Sequence, residues 1–135
     1  MQVSVQADSP VRVLTVDDCA DFRTVARDVV SATPGFTPVG EAPGGAAALE
    51  AIHQLRPALV IVDVRMPGMS GFELTRRISE TYPDTIVLLV SSDDLVEGAA
   101  AARACGARAF IRKEDVRPSA RAYLRFVTRR NVAFA

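Results

Sequence analysis

The chain has 135 residues, 49% of them hydrophobic and 24% charged, with Lys plus Arg and Asp plus Glu at 16 each. That is the length of one ordinary domain with enough apolar material for its own core, which excludes an intrinsically disordered chain. Balanced charge excludes a nucleic-acid coat or a polybasic membrane anchor, and two distant cysteines, Cys19 and Cys105, give no disulfide scaffold, zinc site or redox motif and read as small buried thiols of a reducing cytosol.

Residues 1–10 carry no Lys or Arg and no apolar core, so they are expected to form a disordered leader, not a secretory signal. No apolar run approaches the roughly 20 residues that cross a bilayer, and a cytoplasmic protein is expected. Val11 to Val16 reads as the first strand. Asp21 to Ala32 follows as a helix, with Phe22, Val25, Ala26, Val29 and Val30 on one stripe and a stop at Pro34-Gly35. The second strand, Phe36 to Gly40, contains Pro38, which cannot donate to a ladder and so predicts an edge position. A helix over Gly45 to Leu55 points Ala48, Leu49 and Ile52 inward and ends before Pro57.

Ala58 to Val62 and Thr85 to Val90 are nearly continuous Val, Ile and Leu, the pattern of central parallel strands covered on both faces. Between them, Ser70 to Tyr82 opens with a capping box, Ser70 and Glu73, and stops at Pro83. Leu95 to Cys105 predicts an Ala-rich helix closed by Gly106, with Asp93 and Asp94 as its caps. Ala107 to Ile111 is the fifth strand. The last helix, Ser119 to about Asn131, repeats Ala122, Tyr123, Phe126 and Val127 at helical spacing. Five strands alternating with five helices predict a doubly wound (βα)5 parallel sheet in one domain over residues 11–131, followed by a tail at 132–135.

In such a sheet, ligands bind beyond the carboxyl ends of the strands, where strand order reverses. Asp17 and Asp18 follow the first strand, Asp63 ends the third, Ser91 and Ser92 follow the fourth, and Lys113 follows the fifth. Carboxylates crowded on one rim repel one another, so they take up protons or recruit a cation. A hard divalent ion such as Mg²⁺ suits oxygen donors and keeps room for a phosphoryl oxygen. With Lys113 as a compact positive charge opposite, the set has the parts of a phosphoryl-transfer site in which an Asp can act as nucleophile.

The strings Val16-Asp17-Asp18, Ile61 to Leu74 (IVDVRMPGMSGFEL), Val90-Ser91-Ser92 and Gly106 to Lys113 (GARAFIRK) occur in that order. In these the chain resembles the receiver domain of two-component response regulators, and the likeness covers about residues 11–131. The resemblance implies a flavodoxin-like fold and a phosphorylation-dependent signalling switch. Asp63 would accept a phosphoryl group from a sensor histidine kinase or a histidine phosphotransfer protein. Asp17, Asp18, Asp63 and the backbone carbonyl of Arg65 would hold Mg²⁺, and Lys113 would pair with Asp63 and then with the phosphoryl group. Ser91 would be the switch hydroxyl and Phe110 the switch aromatic. The family is not enzymatic toward other molecules, but it labels itself from small donors and dephosphorylates itself. The fourth helix, fifth strand and fifth helix would face a second copy or a downstream protein, with no direct contact to nucleic acid or membrane.

Simpler roles compete at several positions. Phe110 also fits a core residue, Ser91 a serine that bonds only backbone, and His53 a surface residue. Two departures stand out. Glu114 occupies the place where receivers carry a proline after the lysine, which predicts a trans bond and a differently shaped loop. Arg65, two residues past Asp63, would sit at the pocket mouth; its place is where an aspartyl-phosphate phosphatase needs a second Asp, which argues against that enzyme class. No G-x-G-x-x-G follows the first strand, which argues against a dinucleotide site. The remaining alternative is a receiver fold that serves as an unphosphorylated interaction scaffold. Too few residues follow Asn131 for an output domain, so the sequence reads as a stand-alone receiver or as part of a longer regulator; the Pro-Gly-Phe-x-x-x-Gly-Glu-Ala pattern at 34–42 resembles receivers that precede a helix-turn-helix domain.

Overall fold

A computed structural model describes residues 9–93 and 98–128. Most of the expected leader, the tail and Asp94 to Glu97 lie outside the described residues. The strands are β1 (Val11–Val16), β2 (Phe36–Ala42), β3 (Leu59–Asp63), β4 (Ile86–Ser91) and β5 (Ala109–Arg112). The helices are α1 (Ala20–Ala32), α2 (Gly45–Leu55), α3 (Gly71–Thr81), α4 (Gly98–Cys105) and α5 (Val116–Val127), with one turn of 3₁₀ helix at Lys113–Asp115 leading into α5. All strand pairs are parallel, in the order β2-β1-β3-β4-β5.

Side-chain alternation along the strands divides the core in two. Leu14, Val16, Val60, Val62, Val87 and Leu89 face α2, α3 and α4, where Ile52, Leu74, Ile78 and Ala102 meet them. Val13, Leu59, Ile61, Leu88, Val90 and Ile111 face α1 and α5, where Phe22, Ala26, Val30, Ala120 and Leu124 close the layer. Every residue of β3 is buried, which accounts for its unbroken apolar sequence. β2 is an edge as Pro38 requires. The register with β1 slips there: Val13 pairs with Pro38 and Leu14 with Gly40, leaving Val39 as the extra residue of a bulge.

Helix ends follow local chemistry. Ser70 Oγ accepts the N–H of Glu73 at 3.2 Å, as the capping pattern requires, but Glu73 does not return the bond and instead pairs with Arg77 one turn on, at 2.8 Å. Gly106 ends α4 with φ at +102°, where a side chain would also strike Ser79 Oγ. At the end of α2, Arg56 takes the left-handed conformation (φ 49°) without being glycine. It is held there by hydrogen bonds: its N–H donates to Ile52 and Arg12 donates to its carbonyl at 2.9 Å.

Two expectations need correction. α5 starts at Val116 rather than Ser119, and its buried residues are Val116, Ala120 and Leu124. Ala122 is exposed, and Tyr123 and Phe126 are only half-buried. α5 follows directly on the turn at Lys113–Asp115, and Tyr123 and Phe126 pack at the border of the core. Cys19 is exposed, because it stands in the loop before α1; Cys105 is buried as expected. Asp93 pairs with Arg65, as described below, and the helix start that Asp93 and Asp94 are expected to cap lies outside the described residues.

Candidate functional site

β1 and β3 lie side by side although β2 separates them in sequence, so the chain leaves them toward opposite layers and opens a crevice at their carboxyl ends. Asp17 stands at the end of β1 and is fully buried. Its Oδ1 accepts the N–H of Cys19 at 2.8 Å, its N–H donates to Ala42, and its carbonyl accepts from Arg23 at 2.7 Å. Asp63, the last residue of β3, is 4% exposed, and its Oδ1 accepts the N–H of Arg65 at 3.4 Å. Asp18 is exposed. Carboxylate oxygens from Asp17, Asp18 and Asp63 all lie within 4.8 Å of one another.

Lys113 enters from β5. Its ammonium lies 2.7 Å from Asp17 Oδ2 and 3.5 Å from Asp63 Oδ2, and 4.7 Å from the ring centroid of Phe22. An aromatic face attracts a cation, so the ring of α1 positions the lysine from the apolar side. Burial alone would lower the pKa of Lys113, but its hydrogen bond and charge contact with Asp17, then Asp63, hold it above the ordinary lysine value. Asp63 is pushed up to about 6, by burial first and the Asp17 charge second; Lys113 and the Arg65 N–H oppose the shift. The nest is thus short of positive charge.

That shortage fits a divalent cation. Asp17 Oδ2 is buried and, apart from the ion pair with Lys113, has no hydrogen-bond partner. Three clustered carboxylates offer hard oxygen donors of the kind Mg²⁺ takes. The peptide bonds are all trans among the described residues, including that between Lys113 and Glu114, and Glu114 turns away to pair with Arg112 at 3.0 Å.

Ser91 ends β4, 1% exposed. It lies one residue past Val90, which is level with Asp63, and its Oγ accepts the N–H of Asp93 at 3.1 Å. Phe110 is half-buried in β5 and packs on the α2–α4 side of the core. His53 is exposed, with Nδ1 3.5 Å from the Tyr82 hydroxyl. Sequence reasoning missed Phe22 and Arg23, which look like an ordinary core residue and a surface residue of α1. It also missed the ion pair between Arg65 and Asp93, 2.7 Å across the pocket mouth. Their equal two-residue offsets from Asp63 and Ser91 were the available signal.

Comparison with known proteins agrees with this geometry. The chain is 38% identical over 109 residues to protein-glutamate methylesterase/protein-glutamine glutaminase 4 of Myxococcus xanthus, covering 78% of this chain and 30% of that one. It is 41% identical over 99 residues to the protein of the same name from Geobacter metallireducens, covering 73% and 28%. The chain thus spans about 30% of the length of these relatives. Among solved structures it resembles the NarL signal receiver domain of Mycobacterium tuberculosis (TM-score 0.82, 34% identity, 90% of this chain and 99% of that one). It also resembles the response regulator domain of Thermotoga maritima CheB (TM-score 0.78, 30% identity, 86% and 94%). The family model for the response regulator receiver domain matches residues 13–123, from within β1 into α5 and across all the acidic residues above; the chain belongs to that family.

Proposed function

We propose that this chain is a phosphorylation-dependent switch in which Asp63 accepts a phosphoryl group from a histidine of a sensor kinase or phosphotransfer protein. The observation that carries this reading is the placement of Asp63: a buried carboxylate at a strand end, between two other aspartates and a lysine. An Asp63 oxygen attacks phosphorus, the P–N bond to the donor imidazole breaks with its electron pair, and the product is an acyl phosphate on Asp63. Asp17, Asp18, Asp63 and the carbonyl of Arg65 would hold Mg²⁺, which when bound supplies positive charge that lets the carboxylates and an incoming phosphoryl group share one site. Lys113 moves its charge from Asp17 and Asp63 toward the new phosphoryl oxygens. Ser91 gives up its local bond with the Asp93 N–H and donates its hydroxyl to the same group, and Phe110 follows into the space that this opens. Release by water returns the resting state.

Phosphorylation adds charge and acceptor oxygens that one arrangement of Ser91 satisfies, so it biases a two-state element. The readout surface is α4, β5 and α5, within a receiver unit over residues 11–131. Arg117, Arg121 and Arg125 stand exposed along α5 at four-residue spacing, which suits a downstream protein or a second copy with acidic groups. No helix among the described residues is long and apolar enough to cross a membrane.

The test is labelling by acetyl phosphate with Mg²⁺, read by intact mass. The wild-type chain should gain one phosphoryl group and the Asp63→Asn variant none; equal labelling of the two would remove Asp63 from the role.

A further inference from the structure

Arg65 and Asp93 occupy matching positions, each two residues past the end of a neighbouring strand. Their side chains meet at 2.7 Å between Arg65 Nε and Asp93 Oδ2. The backbone N–H of each also holds one of the two groups that the switch uses: the Arg65 N–H donates to Asp63 Oδ1 at 3.4 Å, and the Asp93 N–H donates to Ser91 Oγ at 3.1 Å. Below them the sheet ladder joins the same segments, with Val64 N–H donating to the Val90 carbonyl at 2.9 Å. The result is a closed ring: ladder at the base, ion pair at the top, Asp63 and Ser91 tied to its two sides.

We propose that Arg65 and Asp93 are positioning residues whose ion pair straps the loops after β3 and β4 together and holds Ser91 in its resting arrangement. Turning Ser91 toward a phosphoryl group on Asp63 breaks the bond from the Asp93 N–H, and the strap resists that movement. Both side chains are well exposed, 63% and 50%, so the strap is screened by water and salt and opens readily. It sets the balance of the switch without locking it. This inference rests on the reading of Asp63 and Ser91 given above.

The test is a double-mutant cycle on the full chain, with Arg65→Ala, Asp93→Ala and both together, titrated with beryllofluoride and Mg²⁺ and followed by amide NMR spectra. Simple charge effects on an anion add; a strap does not. The expected coupling is about two- to fivefold in affinity, the range of an exposed ion pair. The exchanged pair Arg65→Asp with Asp93→Arg should return toward the wild-type affinity, and Arg65→Ala should speed hydrogen exchange of the Asp93 amide in the unliganded protein. Additive effects in the cycle overturn the strap while leaving the phosphoacceptor reading intact. A wild-type chain whose spectra do not respond to beryllofluoride overturns that reading, and the strap with it.

Discussion

Lys113 makes its shorter ion pair with Asp17, at 2.7 Å, and its longer one with Asp63, at 3.5 Å. In the resting site the ammonium therefore chiefly offsets the one aspartate that is fully buried, and it stands among the oxygens that a metal ion would use. A divalent cation held by these carboxylates would compete with the lysine. The Lys113→Ala variant should bind Mg²⁺ more tightly than the wild type, by on the order of three- to tenfold, because one nearby positive charge is gone. Its labelling by acetyl phosphate should fall, since nothing then meets the phosphoryl charge from the β5 side. Metal affinity by calorimetry beside labelling by mass checks both; weaker Mg²⁺ binding in the variant would contradict the competition.

The raised pKa of Asp63 gives a stability that depends on pH in a definite direction. Between the ordinary value of 3.8 and about 6, the folded chain binds more protons at this residue than the unfolded chain. Its contribution is favourable below 3.8 and is lost as pH rises through 6, since linkage makes stability fall wherever the folded state holds the extra proton. The Asp63→Asn variant lacks this loss and should be more stable than the wild type at pH 8 without Mg²⁺, by about 1–3 kcal/mol. Mg²⁺ affinity of the wild type should rise with pH over the same interval. Urea denaturation at pH 5 and pH 8, with and without Mg²⁺, measures these effects, and a less stable asparagine variant at pH 8 would refute them.

Gly71 begins α3 against the strand that carries Asp63. A Cβ there would strike the carbonyl oxygen of Asp63 and come to 2.8 Å from Val64 Cα, contacts with backbone that cannot swing aside. Gly71→Ala should cost about 2–4 kcal/mol and reduce labelling by displacing the end of β3 from the nest. Chemical denaturation and labelling of the same variant show whether both losses occur together.

The orientation of α5 is equally testable. Leu124 is 1% exposed and Ala122 lies on the solvent side. Leu124→Ala should cost about 2–5 kcal/mol, the usual range for truncating a buried leucine. Ala122→Ser should change stability by no more than about 0.5 kcal/mol. Thermal or urea unfolding distinguishes this phase from one with Ala122 inward.

The positions of the candidate site were legible because a parallel sheet covered on both faces writes itself as apolar runs, and the polar residue ending each run falls on one rim. Asp17, Asp63, Ser91 and Lys113 follow from that rule. Pro38 announced its edge, although nothing announced that Val39 would be the bulged residue. What stayed hidden depends on direction rather than order. Helical periodicity read from Ser119 singled out Ala122, Tyr123, Phe126 and Val127, whereas the helix starts at Val116 and buries Val116, Ala120 and Leu124. Phe22 beneath Lys113 carries no mark that separates it from Ala26 or Val30. The preference of Lys113 for Asp17 over Asp63 is a matter of fractions of an ångström, which spacing does not encode.

The bulge beside Pro38 has a bearing on assembly. At this border the backbone lacks one donor and is kinked, so a foreign strand finds no regular row of amides to zip onto. The opposite border, β5, is only four residues long and runs straight into a helical turn. Neither margin offers a regular template, which disfavours pairing of sheets edge to edge and leaves side-chain surfaces such as that of α4, β5 and α5 for complexes.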